Sequence, residues 1–532
     1  MDPKIISGPP VLSSLLADIN IPLHQFIENS AKNHISTICM IDALTDRKLT
    51  IEAVLSQSII LAAELQALGC RPGLVVGIIC ENGLDYPVIM MAIFRTGATV
   101  ACFNPSYSIG ELEHTMNVTQ PHLLFVDSSS SAKITQCSSK FKCLKHIISL
   151  EDNVKPPKLN YSSLLSRKNT LNYIPPSVSE LNTSLILFSS GSTGLPKGVM
   201  LSNISVIYLF NMMKLQKEML LDYDPVTLSV IPMFHGYGVL LVLRSFVTGG
   251  CILSLKKFNP EQFLAAIEKY KVTDLALVPA LMIFLAKHPI VNNYNLSSIR
   301  NVSCGAAPLS FEIEDEVKTK LKLDKVIKGY GMTETTVLCT YAPPGIDITA
   351  GSVGKLLPGL LAKVIDIHTG ELLESGQEGE ICVKGILIMQ GYYNNKKETE
   401  NTIDPDGWLH TGDVGYYNDD EEFFIVDRIK DLIKYKGLQV APAELEALLL
   451  KHPCVKDVAV IGVPDDIAGE VPRAFVVKMK DVTEKELVDY IAEQVAPHMK
   501  LRGGVKFITE IPRNTNGKIL RRELRKWLQS KL

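Results

Sequence analysis

Four hydroxyl side chains, three glycines and a lysine crowd into ten residues, Ser189-Ser190-Gly191-Ser192-Thr193-Gly194-Leu195-Pro196-Lys197-Gly198. Glycine lets backbone N–H groups approach an anion, the hydroxyls add donors and the lysine adds a positive charge, a combination suited to phosphate. The order G-x-x-x-x-G-K-[ST] is absent, so this is not a Walker A loop. A Ser/Gly stretch of this length also suits a plain surface loop, so the reading depends on what else the chain carries.

Five further segments offer related chemistry. Pro232-Met233-Phe234-His235-Gly236-Tyr237-Gly238 puts a histidine in a glycine-bordered turn. Gly329-Tyr330-Gly331-Met332-Thr333-Glu334 sets an aromatic ring, a hydroxyl and a carboxylate at a strand end. The ring suits stacking on a base, and the carboxylate suits Mg2+. Trp408-Leu409-His410-Thr411-Gly412-Asp413 offers a turn carboxylate apt for ribose hydroxyls. Asp427 through Gly437 is dense in charge, and Pro512 through Lys518 places a lysine just after a glycine turn. Singly, such a histidine is usually structural and such charge runs are usually solvated surface. Their order along one chain carries the reading.

Secondary structure must position these segments. The apolar run Leu185–Phe188 predicts a buried strand feeding the Ser/Gly loop. From about Leu23 to Leu150, strand-like and helix-like segments alternate. Pro72-Gly73 reads as a turn, Leu74–Cys80 and Leu123–Val126 as strands, and Tyr86–Thr96 as a helix. Serine-rich Asp127–Ser139 and polar, proline-containing Pro156–Pro176 read as loops. Thr227–Ile231, Ile252–Leu255 and Leu275–Val278 read as strands, and Pro260–Tyr270 as an amphipathic helix. The alternation predicts parallel α/β architecture. After Gly351, Ala362–Ile367, Gly379–Lys384 and Phe423–Val426 predict a smaller β-rich subdomain. A final compact α+β body holds helices Pro442–Leu450 and Glu484–Val495 and strands Val455–Val463 and Arg473–Lys478. The expected division is therefore an N-terminal domain, residues 1–427, and a C-terminal domain, residues 428–532, joined by a short linker that permits rotation.

Composition excludes several classes. Of the 532 residues, 46% are apolar, enough for large cores and incompatible with global disorder. A formal net charge of −3 argues against nucleic-acid binding driven by counterion release. No run approaches the ~18 apolar residues of a membrane span; Arg95 and Arg244 interrupt the most apolar stretches. Val11–Leu16 lacks the flanks of a signal peptide. The 11 cysteines are scattered, with no C-x-x-C pair, as in a reducing compartment, and their spacing argues against zinc.

Together the six segments resemble the adenylate-forming superfamily of acyl-CoA synthetases, peptide-synthetase adenylation domains and beetle luciferases. The resemblance runs from about residue 20 to the end. Its character is that of the 4-coumarate–CoA ligase and insect luciferase group, notably in Ile425–Glu446 and Leu501–Gly504. It implies a large domain holding ATP and acyl pockets, and a small mobile lid. It assigns Ser189, Ser190, Gly191, Ser192, Thr193, Gly194 and Lys197 to the ATP phosphates. Gly305-Ala306-Ala307-Pro308 and Gly329-Tyr330-Gly331 would wall the adenine pocket. Thr333 would meet the α-phosphate, Glu334 the Mg2+, and Asp413 and Arg428 the ribose. His235 would line the acyl pocket, and Lys518 would reach the attacking carboxylate and the α-phosphate.

The implied reaction joins a small carboxylic acid to ATP as an acyl-adenylate. Mg2+ and lysines neutralise the repulsion between two anions. Lid rotation near Asp427–Lys430 would then withdraw Lys518 and bring in Lys434, Gly437 and Gln439 for thioester formation with CoA. In a luciferase the second step is oxidation by O2 with light emission. Two departures bear on that choice. Ser202-Asn203 stands where relatives often show a His before the Asn. Val337-Leu338-Cys339 follows the Thr pair, where beetle luciferases carry a small Ser-Ala pair, which argues against beetle luciferin as the substrate. Ligase and luciferase both stay open. An inactive binding relative is opposed by the intact Lys518, Glu334, Asp413 and Arg428. The closing triplet Ser530-Lys531-Leu532 matches a receptor-read peroxisomal address, so a peroxisomal import receptor is an expected partner and the peroxisome the expected location.

Overall fold

The computed structural model describes residues 4–152, 159–167, 173–190, 195–307, 309, 311–342, 346–436, 438–465, 467–514 and 517–529. Two largely parallel sheets form the bulk of the molecule. The first has strand order Gly391–Tyr392, Pro196–Ser202, Thr183–Ser190, Thr99–Cys102, Val75–Ile79, Leu123–Val126, His146–Ser149, Leu159–Asn160. Only its first two strands run antiparallel to their neighbours. In the second sheet, strands Ile327–Tyr330, Asn301–Cys304, Asp274–Leu277, Val226–Ser229, Cys251–Ser254 and Ile38–Asp42 run parallel. Most of their residues are buried between flanking helices, although Thr227, Ser229, Asp274, Asn301 and Ser303 alternate with apolar neighbours.

One hydrophobic core unites the two sheets, drawing Ile89, Leu209 and Leu243 from three different helices. Helix Asp85–Thr96 is buried along nearly its whole length, and Gly97 ends it at φ +72°, a left-handed cap that glycine adopts without strain.

The expected β-rich subdomain is an antiparallel sheet of Ile6–Ser7, Leu360–Ile365, Gly379–Gly385, Leu409–Tyr417 and Phe423–Arg428. Its edge strand Ile6–Ser7 comes from before the alternating pattern begins. The C-terminal body has its own sheet, built on the antiparallel pair Val455–Asp465 and Gly469–Lys478, with a separate core around Leu445, Val460 and Ile491. Strand Phe423–Arg428 runs through the expected 427/428 boundary. Asp427 spans the two bodies, its Oδ2 accepting a bond from the Ala443 N–H at 3.0 Å, at the start of helix Pro442–Leu450.

Two segments read as loops contain helices. Ser128–Cys137 is helical because the Asp127 carboxylate accepts from the Ser130 N–H at 3.0 Å and Ile134 and Cys137 bury against the sheet. Capping and burial outweigh the weak helix preference of serine. Tyr161–Ser166 is helical for the same reason, with Asn160 as its cap. Helix Glu484–Ala492 stops short of Val495. Leu524–Leu528 falls within helix Arg521–Gln529, and the Ser530-Lys531-Leu532 triplet lies outside the described residues.

Candidate active site

A cavity of about 1700 Å³ opens where the two parallel sheets, the β-rich sheet and the C-terminal body converge. Its walls include Ser189, Lys197, His235, Thr333, Glu334, Gly412, Arg428, Lys434 and Lys518, residues from all six sequence segments. This is the C-terminal edge of the parallel strands, where open α/β sheets place ligands.

Glu334 forms one corner. It is 4% exposed, and its Oε1 accepts from Ser189 Oγ at 2.8 Å and from Tyr392 OH at 2.9 Å. Oε2 has no partner among the described residues, an anionic oxygen suited to a hard cation. Lys197 pairs with Glu398, and its ammonium lies 5.0 Å from the Tyr392 ring centre. Ser190 ends the strand, and Gly191, Ser192, Thr193 and Gly194 lie outside the described residues, as does Pro308.

Gly412 and Arg428 line the second corner, and Asp413 stands behind them. Asp413 is buried, and its two carboxylate oxygens accept from Tyr330 OH at 2.7 Å and Arg428 Nε at 2.7 Å. Strand pairing aligns Asp413 with Arg428, so the ion pair follows from register. Burial first, then the Asp413 charge, pushes the Tyr330 phenol well up, so it stays a donor. Beneath, the Gly412 N–H donates to Glu380 Oε1 at 3.0 Å, and His410 Nδ1 lies 2.9 Å from Glu380 Oε2. Hydrogen bonds to Cys382 and Glu380 push His410 up to about 10. Glu380, Cys382 and His410 cluster within 4.8 Å across two strands, a grouping that linear spacing does not reveal.

The C-terminal body contributes Lys518. Its turn is fixed by the Lys518 N–H donating to Asn514 Oδ1 at 2.9 Å and by Arg513 donating to the Gly517 carbonyl at 2.9 Å. Gly517, at φ +76°, sits so close to the large domain that a Cβ there would lie 2.9 Å from Val278 Cγ2. Burial, then the neighbouring Arg428 and Lys430 charges, lowers the Lys518 ammonium to about 8. With the folded value below the ordinary ~10.4, the charged group costs stability below pH 8, and that cost fades as pH rises toward the ordinary value. Any rate that needs this charge is therefore expected to fall as pH rises through about 8 in the ligand-free enzyme. Amine-directed labelling at pH 8 should modify Lys518 ahead of ordinary lysines, with protection by ATP. Labelling no faster than that of a surface lysine would contradict the assignment.

On the far side, His235 caps helix Gly236–Thr248, its Nδ1 accepting from the Tyr237 N–H at 3.3 Å. An acceptor at Nδ1 leaves the proton on Nε2. Burial lowers the ring to about 4, so it stays neutral at physiological pH. Val337 presses on this helix. A Cβ on Gly236 would fall 2.5 Å from Val337 Cγ2, and one on Gly331 would fall 2.3 Å from the Val337 carbonyl oxygen. Thr336 and Val337 both hold positive φ, +49° and +77°, a strained conformation for β-branched residues. Such strain concentrates at functional loops.

Gly329, Gly331, Gly305 and Ala306 border the cavity, and Ala307 follows them directly. Lys434 also borders it, whereas Gln439 reaches His368 of the β-rich subdomain at 3.3 Å; Gly437 lies outside the described residues. Tyr392, Glu398 and Glu380 escape the sequence reading, and Lys430, expected only as part of the hinge, borders the cavity as well. Only the short Gly391-Tyr392 strand beside the Ser/Gly hairpin could have signalled the first.

The model of AMP-binding enzymes matches residues 27–393, and that of their C-terminal domain matches residues 444–518. A luciferin 4-monooxygenase of Photinus pyralis is 38% identical over 508 residues, covering 92% of this chain and 91% of its own. A probable 4-coumarate–CoA ligase 3 of Dictyostelium discoideum is 39% identical over 552 residues, covering 99% of this chain and 100% of its own. The crystal structure of ATP-bound MatB from Rhodopseudomonas palustris superposes with a TM-score of 0.85 at 26% identity, covering 96% of this chain and 99% of that one. The two bodies, the convergent cavity and these matches place the chain in the AMP-binding enzyme family.

Proposed function

We propose that this enzyme activates a small carboxylic acid with ATP and transfers the acyl group to CoA. The acid's carboxylate oxygen bonds the α-phosphorus as the bond to pyrophosphate breaks. The CoA thiolate then attacks the acyl carbon and AMP leaves. The observation that carries this reading is the entry of Lys518 from the C-terminal body into the cavity that holds Glu334, Arg428 and His235.

Lys518 and Lys197 would offset the charge of the carboxylate and phosphates. Asp413 and Arg428 would hold the ribose, Gly329, Tyr330 and Gly331 the adenine, and Thr333 the α-phosphate. Glu334 Oε2 would hold Mg2+, which supplies charge neutralisation at the phosphates when bound. The ion pair between Lys197 and Glu398 must open for that lysine to reach phosphate. Rotation about the Asp427–Lys430 linker would exchange Lys518 for Lys434, Gly437 and Gln439 at the thioester step.

The luciferase relatives favour a second reading, in which the adenylate of a luciferin reacts with O2 and emits light. One purified sample decides between them. Pyrophosphate release with acid-dependent thioester formation supports the ligase, and light dependent on ATP and O2 supports the luciferase. Absence of pyrophosphate release across fatty and aryl acids would defeat both. The Ser530-Lys531-Leu532 triplet supports import into peroxisomes. A fluorescent fusion ending in that triplet should be punctate and should disperse when the triplet is removed; unchanged punctate signal would refute the address.

A further inference from the structure

Helix Gly236–Thr248 is buried at every position except Tyr237 and Arg244. Tyr237, Leu240, Leu241 and Arg244 all border the cavity, the i, i+3, i+4, i+7 stripe of one helix face. Seven residues of helix rise span roughly 10 Å. The face therefore starts beside His235, passes two leucines and ends on a guanidinium.

The polar groups around that end are already partnered from the wall. Asp274 accepts from Thr273 Oγ1 at 2.6 Å, Tyr223 OH at 3.1 Å and Asn301 Nδ2 at 3.4 Å. Tyr237 OH and Ser303 Oγ share a bond at 2.9 Å. The Arg244 guanidinium makes no hydrogen bond or ion pair among the described residues; the backbone carbonyl is engaged, accepting from Thr248 Oγ1 at 2.9 Å. Its charge bears on Asp274, Tyr237 and Tyr341, all of which border the cavity. A guanidinium presents five donors and no acceptor, and leaving it unpaired in a half-buried wall is costly.

We propose that the acid activated here carries a hydrogen-bond-accepting oxygen at the end remote from its reacting carboxylate, and that Arg244 receives it. The class is an acid with an apolar middle, tipped by a carboxylate or a hydroxyl. Leu240 and Leu241 exclude polarity from the middle of the substrate, and Arg244 rewards it at the tip. This inference rests on the adenylation reading and names the substrate class of that same site.

The test measures kcat/KM for ATP-dependent pyrophosphate release with octanoate, 8-hydroxyoctanoate and suberate, and with cinnamate and 4-hydroxycinnamate. The unmodified enzyme is expected to favour the oxygen-tipped member of at least one series by about tenfold or more, as one charge-assisted bond allows. The series that shows it distinguishes the aliphatic from the aromatic source. Arg244→Leu should erase or invert that preference, mainly through KM, and Arg244→Lys should keep part of it. Equal loss for tipped and plain acids in Arg244→Leu would mark a structural residue and overturn the proposal, as would the absence of any tip preference while pyrophosphate is released. Release with none of these acids from the unmodified enzyme would remove the adenylation reading and this inference with it.

Discussion

Lys518→Ala is expected to lower acyl-adenylate formation by about 10²–10³, the usual cost of removing one preorganised charge from a closed site. Thioester formation from a supplied acyl-adenylate should stay within a few-fold of the unmodified enzyme. The asymmetry follows from placement. Lys518 enters the cavity on a turn held by Asn514 and docked on Val278, while Lys434 sits on a different strand of the same body. Both lysines border the cavity here, and the expected rotation would bring Lys434 to the reacting atoms as it carries Lys518 away from them. Because the ammonium is held at about 8 by burial and by the Arg428 and Lys430 charges, its removal relieves repulsion, and the melting temperature should not fall below pH 8. ATP–pyrophosphate exchange and thioester formation, assayed separately, check the prediction; equal loss in both would sink the rotating-lid account.

Glu334→Gln should cost about 10² in the ATP-dependent rate with little change in melting temperature. The replacement amide oxygen can still accept from Ser189 and Tyr392, whose bonds both fall on Oε1. Only the negative charge is lost, and Mg2+ prefers anionic oxygen. The Mg2+ concentration for half-maximal rate should rise along with the loss in rate. An unchanged Mg2+ requirement would mean that this carboxylate serves the fold and not the metal.

The chemistry-bearing loops are legible in the sequence because residue type and local spacing decide them. Ser189, Lys197, Thr333, Glu334, Asp413 and Lys518 each stand in a short motif whose glycines mark a turn. What sequence hides are partners brought from afar. Glu398 meets Lys197 across 201 residues, and Tyr392 meets Glu334 across 58. Arg244 looks like a mere interruption of an apolar run until helix geometry sets it on the cavity face. The helices at Ser128–Cys137 and Tyr161–Ser166 are obscured because serine favours loops unless a cap and a buried face override it. Parallel strands of the first sheet, such as Val75–Ile79 and Leu123–Val126, are plain because they are apolar on both faces.

The pairing of Ile6–Ser7 with Leu361 and Ala362 bears on how the protein is made. The segment is made long before its partner strand Leu360–Ile365, which appears only after the parallel strands of both large sheets have been synthesised. Until then its backbone donors and acceptors have no strand to complete. Closing so long a loop costs entropy that local structure does not repay. Gly8 is bound into the same seam, where a Cβ would lie 2.0 Å from the Leu357 carbonyl oxygen. The sheet that carries Asp413 and Arg428 is thus sealed by a segment made before any of its other strands. Bulk fused at the N-terminus should slow maturation of the ribose corner more than it weakens the finished enzyme.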